Sequence, residues 1–484
     1  MPETTNKKVF NNFIWRFLER CGAQGVTFVV SVILARLLDP AVYGTVALVT
    51  VFTSIMQVFI DSGFGTALIQ KKDADDLDFS TVFYFKMAVC ILLYAVMFFA
   101  APLIAAFYEN DELIPLVRVL SLILIISGVQ GVQVSYVSRN LLFKRFFWAT
   151  LGGTIVAAVV GIWMAYAGYG VWALIAQNLV NQFIDTVILW VTVKWRPKWM
   201  FSFRRLKGLF SFGSKMLVSG LVDKVYSELR QLIIGKMYSS EDLAFYNKGT
   251  QFPSLIVTNI NTSIDSVLLP TMSSAQDDRD RVKAMTRRAI KTSTYLMMPM
   301  MVGLAVCATP IVRLILTEKW LPSVFFMRIF CITYAFYPIH TANLNAIKAM
   351  GRSDLFLKLE IMKKVVGLSV LLTTMWISVE AMAYSLLFTS IMSQIINSFP
   401  NKKLLNYSYP EQLKDMLPQI ILSVVMGGIV YCVTFLGLND ILTLCIQIPL
   451  GAVIYVLGSL VFKIDSFTYI ISTAKSYLHK GKAD

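Results

Sequence analysis

Charged and amide side chains recur at helical spacing inside stretches that are otherwise almost pure hydrocarbon. Between Leu209 and Tyr238 the chain carries Lys215, Asp223, Lys224, Glu228 and Arg230 among Phe, Leu, Val and Ile. Asp223, Ser227 and Arg230 fall at i, i+4 and i+7, and Lys224, Glu228 and Gln231 lie on the adjacent strip, so the two strips make one polar helix face. A second stripe runs through Lys248, Gln251, Thr258 with Asn259, Thr262, then Asp265 with Ser266, and Pro253 interrupts its backbone ladder. A third runs through Tyr43, Thr50, Thr53 with Ser54, Gln57 and Asp61. Arg16, Arg20 and Gln24 share a face near the start of the chain.

Two chemistries fit these residue types. Cations with amides could grip a phosphate, and guanidinium groups favour two-pronged contact with one. The candidates for that grip are Arg16, Arg20, Gln24, Gln57, Lys224, Arg230, Lys248, Gln251 and Asn259. Carboxylates beside these cations, namely Asp223, Glu228 and Asp265, could take up a proton or a sodium ion. Each has a plainer reading. Asp223, Lys224 and Glu228 could simply neutralise one another. Hydroxyl and amide stripes could glue helices at about 0.6 kcal/mol per contact, and Arg16 and Arg20 could snorkel to headgroups. Lys86, Arg118, Asp185, Arg313 and Arg328 read as packing or interfacial charges. A charge in hydrocarbon costs about 2.5–3.5 kcal/mol on insertion scales. The striped helices must therefore face protein or a water-filled cavity.

The elements that position these residues are membrane spans. Of the 484 residues 56% are hydrophobic and only 15% charged, with a mean hydropathy of +0.65. A water-soluble protein of this length needs more polar surface. The apolar runs are about 20 residues long rather than ten-residue alternations, so they are helices. Fourteen are expected, near 14–37, 42–64, 79–107, 113–136, 146–167, 170–193, 209–237, 244–269, 289–316, 323–347, 357–377, 379–399, 416–436 and 441–462. The N-terminal tail and even-numbered loops hold most of the Lys and Arg, including Lys71, Arg139, Arg205, Arg287 and Lys402. The odd loops carry Glu109, Asp111, Glu112, Glu241, Asp242, Glu318, Glu380 and Asp440. This asymmetry places both termini in the cytoplasm. The same distribution explains the net charge of +15 without nucleic acid.

The chain also repeats. ILARLLDPAVYG at the first and second spans has a counterpart in LIIGKMYSSEDLAFYN at the seventh and eighth. LVRVLSLI in the fourth span answers FMRIFCIT in the tenth, setting Arg118 against Arg328. The expected organisation is a first lobe over 1–193, a basic cytoplasmic linker over 194–208, a second lobe over 209–400, and two further spans with a tail over 401–484. Corresponding helices of two such repeats line a shared interface, the usual place for a transported substrate. No loop is long enough for a soluble catalytic domain, and no catalytic acid cluster appears, so no enzyme is expected. The six cysteines lie in apolar runs without ligand spacing and His340 and His479 are the only histidines, so neither a metal nor a cofactor is expected. The first apolar run shows no cleavage site and reads as a span.

The stretches ILARLLDPAVYGTVALV, DSGFGTALIQ, LIIGKMYSSEDLAFYNKGTQFP, VLLPTMSSAQDDRDRVKAMTRRAI and MPMMVGLAVCATPIVRLILTEKWLPS together carry a resemblance. The chain is similar to the polysaccharide-exporting flippases of the multidrug/oligosaccharidyl-lipid/polysaccharide exporter superfamily, in the lipopolysaccharide and teichuronic-acid branch. The pair Arg230–Gln231 departs from that family, which usually has an acidic or amide residue before the LLIG run. The resemblance implies a V-shaped pair of six-helix lobes in a bacterial plasma membrane, alternating between inward- and outward-open states. It implies a sugar chain on a polyprenyl diphosphate as cargo, and it leaves open both proton or sodium coupling and glycan-assembly proteins as partners. A drug antiporter of the same superfamily, a peptidoglycan-precursor flippase, a glycosyltransferase and a membrane scaffold are the alternatives. A drug antiporter favours an acidic, aromatic cavity, and a scaffold needs no polar stripes inside its spans.

Overall fold

The computed structural model describes residues 22–61, 63–71 and 73–480, so Arg16 and Arg20 lie outside the described residues. Every regular element among the described residues is helical. The chain forms two compact units, Met1–Ala244 and Phe245–Asp484, and the boundary falls inside a helix.

The first unit contains α1 (Gly22–Leu37), α2 (Pro40–Asp61), α3 (Phe64–Gln70), α4 (Asp76–Tyr108), α5 (Leu113–Leu120), α6 (Leu122–Arg139), α7 (Phe143–Tyr166), α8 (Val171–Thr192) and α9 (Phe203–Met237). α10 (Ser240–Ser273) begins there and continues into the second unit. The rest of that unit is α11 (Arg279–Val306), α12 (Ala308–Ile315), α13 (Ser323–Ala335), α14 (Tyr337–Ala349), α15 (Ser353–Thr374), α16 (Val379–Leu404), α17 (Tyr409–Cys432), α18 (Asp440–Val461) and α19 (Asp465–Lys480).

Among the described residues ten helical stretches are long and apolar enough to cross a membrane, and Gly22–Leu37 is a shorter apolar helix. α9, α10 and α15 are 35, 34 and 22 residues long but carry more polar and charged residues than a plain span. Three expected spans are interrupted. The helix path breaks at Ser121 between α5 and α6, at Cys307 between α11 and α12, and at Phe336 between α13 and α14. Pro338 accounts for the last break, because a proline in the first turn starts a new helix more readily than it continues an old one. Large apolar side chains face outward, Phe99 at 75% and Val461 at 74% exposure, as lipid-facing residues do.

Inside the first unit, Leu34, Val49, Met97, Leu113, Leu124 and Ile175 form the main apolar core. The basic stretch 194–208 is folded onto the start of α4 rather than extended. Trp195 is buried, and its indole donates to Asp76 at 3.1 Å. Lys198 pairs with Asp76 at 2.5 Å, and Asp78, whose side chain is fully buried, is held by Lys71 at 2.5 Å and Arg205 at 3.3 Å. Asp75 and Asp78 close a reciprocal cap on α4, and that cap holds the exposed Asp75 carboxyl below the usual carboxylate range. Inside the second unit, Tyr295, Met426 and Tyr455 centre a core shared by α11, α17 and α18. Beside it, Asn343, Ser398, Asn401 and Gln412 form a fully buried amide network across α14, α16 and α17.

The repeat has matching contacts within each unit. Arg118 Nε donates to the Phe98 carbonyl at 3.3 Å, and Arg328 Nε donates to the Ala305 carbonyl at 3.3 Å. α4 is tied to α9 at both ends, by Asp78–Arg205 and by Glu109–Lys236 at 2.8 Å. In the second unit Arg287–Asp415 at 2.6 Å and Arg313–Asp440 at 3.2 Å hold the corresponding positions, with the charge signs exchanged. α9 thus stands to the first unit as α17 and the start of α18 stand to the second.

Candidate functional site

The polar face of α9 is assembled against α2. Lys224 Nζ reaches Glu228 Oε1 at 2.5 Å, and Gln231 Nε2 reaches Glu228 Oε2 at 2.5 Å. The Ser54 hydroxyl of α2 shares its proton between the Val51 carbonyl at 2.9 Å and the same Oε1 at 3.4 Å. Glu228 is therefore a buried acceptor, 8% exposed, that gathers donors from two helices. Lys224 is half-buried and Asp223 exposed, and Arg230 is half-buried one turn further along α9. The helix spacing expected from the sequence brings Lys224, Glu228 and Gln231 into one cluster. Burial of the carboxylate in their midst makes the arrangement a preset anion–cation pair. A dianionic ligand could compete with Glu228 for Lys224, because charge-assisted contacts of this kind outweigh neutral ones.

The α2 stripe meets this cluster through Ser54. Its hydroxyls satisfy themselves locally: Thr50 donates to the Val46 carbonyl at 2.7 Å and Thr53 to the Thr50 carbonyl at 3.0 Å. Gln57 donates to Asp61 at 3.4 Å, and Gln24 of α1 is exposed. Close packing of α2 on α9 and the start of α10 rests on two glycines. A Cβ on Gly235 would lie 2.0 Å from Leu48 Cδ2, and one on Gly44 would lie 1.7 Å from the Ser240 carbonyl oxygen.

The α10 stripe divides in two. Lys248 is 7% exposed, contacts Gln251 Oε1 at 3.1 Å and lies 5.6 Å from the Trp320 ring, so the first turns of the stripe are packed within the second unit. Further along, Asn259, Thr262 and Ser263 are exposed and donate to the Leu255, Thr258 and Asn259 carbonyls of their own helix at 2.7–2.8 Å. Donors parked on their own helix are neither glue nor orphaned, and their lone pairs stay free. Asp265 accepts from Asn345 of α14 at 2.6 Å, and Asn261 accepts from Thr341 at 3.3 Å. Thr341 and Asn345 went unnoticed in the sequence. Their spacing of four, matching Asn261 and Asp265 on α10, is the signal that pairs the two helices. Among the described residues no group of three or more His, Cys, Asp or Glu is placed to hold a metal.

A multi-pass helical membrane protein whose polar residues lie along its spans is the class this architecture defines. Residues 33–325 match the polysaccharide biosynthesis protein family, and the chain belongs to that family. It is 24% identical over 415 residues to the teichuronic acid biosynthesis protein TuaB of Bacillus subtilis, covering 83% of this chain and 85% of that one. Among solved structures, the lipid II flippase MurJ in an inward closed conformation superposes with a TM-score of 0.77 at 17% identity, over 94% of this chain and 99% of that one. An inward-facing multidrug resistance transporter of the MATE family, of the MOP superfamily, gives a TM-score of 0.62 at 13% identity, over 79% and 94%. The chain shares its fold with both of these structures.

Proposed function

We propose that the protein flips a polyprenyl-diphosphate-linked oligosaccharide from the cytoplasmic to the outer leaflet of a bacterial plasma membrane, for surface polysaccharide export, by alternating access. Both termini lie in the cytoplasm in this reading. The observation that carries it is the cluster of Lys224, Glu228, Gln231 and Ser54 between α9 and α2. A diphosphate cannot cross hydrocarbon unaided, and a cation held ready by a displaceable carboxylate lowers that barrier. The self-satisfied hydroxyls and amides of α2 and α10 suit sugar hydroxyls, since each can exchange its carbonyl for a ligand at little cost. Membership of a polysaccharide biosynthesis family supports a glycan cargo, and the names of the relatives TuaB and MurJ point the same way.

The test is complementation of a strain lacking its exporter, with surface glycan and membrane insertion read side by side. Arg20→Ala, Lys224→Ala and Arg230→Ala are each expected to abolish surface glycan while the protein still inserts. Normal glycan in all three variants sinks the diphosphate grip.

A further inference from the structure

Where α10, α11 and the start of α19 meet, the second unit has two cavities that share a wall. One, of about 700 Å³, runs between α10 and α11 and is lined by Ile260, Ile264, Leu268, Met285 and Leu296. The other, of about 400 Å³, lies on the basic turns of α11 against Lys283, Arg287, Arg288 and Lys291. Arg288, Thr292 and Tyr469 line both.

The four cations are not equivalent. Arg287 is bound to Asp415 and Glu411, and Lys291 lies 3.4 Å from Asp465. Lys283 gives one donor to the Asn406 carbonyl at 2.6 Å and keeps two. Arg288 has no carboxylate partner among the described residues, and its guanidinium lies 4.6 Å over the Tyr469 ring. Asp280 and Asp465 also line the smaller cavity, and Asp465 is the one held by Lys291. The charge left without a carboxylate therefore sits at Lys283 and Arg288, and Arg288 is the one of the two that lines both cavities. The wall beside it is fixed. Ser466 is buried within 3.4 Å of Gln419, and Phe467 and Ile470 pack on the Tyr295–Tyr455 core.

We propose that this joined cavity is the binding site of a resident anionic glycerophospholipid, with its phosphate on Arg288 and Lys283 and an acyl chain along Ile260, Ile264 and Leu268. Charge complementarity and continuity select this occupant. A free phosphate leaves the apolar groove unfilled, and an alkyl chain alone leaves Arg288 without a counter-ion. One amphiphile satisfies both, and basic pockets at membrane-helix ends are the usual receptors for such headgroups. Asn259 and Ser263 of the α10 stripe also line the larger cavity, and the undecaprenyl phosphate probe below distinguishes a resident-lipid site from a cargo site.

Native mass spectrometry of the full-length protein decides it, with phosphatidylglycerol, phosphatidylcholine, undecaprenyl phosphate and inorganic phosphate as probes. Phosphatidylglycerol is expected to be retained over phosphatidylcholine, and Arg288→Ala to weaken its retention about fivefold. Arg288→Lys is expected to preserve it. Leu268→Trp, which fills the groove and leaves the charge, is expected to reduce retention as well, with thermal unfolding confirming that the variants fold. Equal retention of the two phospholipids, or unchanged retention in both Arg288→Ala and Leu268→Trp, overturns the proposal. So does full displacement of phosphatidylglycerol by equimolar undecaprenyl phosphate, which makes the groove a cargo site, or inorganic phosphate binding as tightly as the lipid.

Discussion

Asp265, Glu228 and Asp223 show carboxylates in three different settings on α9 and α10. Glu228 is buried and holds Lys224, Gln231 and Ser54. Asp265 is exposed but accepts from Asn345, and Asp223 is exposed. We propose that a carboxylate among them takes up a proton or sodium ion during the return of the empty carrier. Moving one charge across the full field is worth about 2.3 kcal/mol per 100 mV, enough to bias that return. Glu228→Gln is expected to remove the wild-type response to an imposed pH or sodium gradient in proteoliposomes, because the neutral amide no longer competes for Lys224. If Asp223→Asn, Glu228→Gln and Asp265→Asn all keep the wild-type response, the three acids only neutralise cations. At this scale the sequence was informative about which residues share a face, since helical period alone sets that. It was silent on which are buried. Lys248 and Asn259 lie on one stripe, yet Lys248 is packed beside Trp320 and Asn259 is exposed. Burial depends on the neighbouring helix, and the residues of α13 and α14 that supply it stand far along the chain.

Among the helices, the contact of α2 with α9 and the start of α10 is the most sharply constrained. The Ser240 carbonyl carbon and oxygen would lie 2.4 and 1.7 Å from a Cβ on Gly44, and backbone has no rotamer with which to yield. Gly44→Ala is expected to destabilise the protein by about 1–3 kcal/mol through forced separation of these helices, seen as a lowered melting temperature and reduced export. Gly428→Ala, which has open space around it, is the control. An unchanged melting temperature in Gly44→Ala removes this contact from the account. The fold of 194–208 makes a second prediction. Arg205→Glu sets a like charge against the buried Asp78, and Asp78→Arg leaves Lys71 and Arg205 facing a third cation. Each is expected to lower thermal stability, and the double exchange to recover part of the loss. The sequence showed this stretch as a basic linker. It did not show that Asp75, Asp76 and Asp78 receive it, because the partners lie more than a hundred residues upstream and no local pattern joins them.

Over the whole chain, we propose that the charge asymmetry of the loops orients the protein. A reporter fused after Leu206 or Asp484 is expected to read cytoplasmic, and one inserted near Glu109 or Asp440 external. An external reading at 206 overturns the map. Fourteen spans are expected from the apolar runs, and among the described residues ten helical stretches are long and apolar enough to cross, α9, α10 and α15 being more polar. Charged and amide residues along α9, α10 and α15 make these helices less apolar than a plain span.

The long-range ion pairs supply an independent count, by parity. Asp78–Arg205, Glu109–Lys236 and Arg313–Asp440 are each 127 residues apart, and Arg287–Asp415 is 128. Partners in contact must stand on the same side of the bilayer, so an even number of crossings separates them. Between Arg313 and Asp440 lie the α13–α14 pair, α15, α16 and α17, which is even only if polar α15 crosses. Between Glu109 and Lys236 lie the α5–α6 pair, α7, α8 and α9, which is even only if α9 crosses. Were either helix to lie along one surface, its ion pair would be divided by about 30 Å of hydrocarbon. A reporter at Ile377, just past α15, is therefore expected to read the same side as one at Glu109, and a cytoplasmic reading there would break the Arg313–Asp440 pair along with the count.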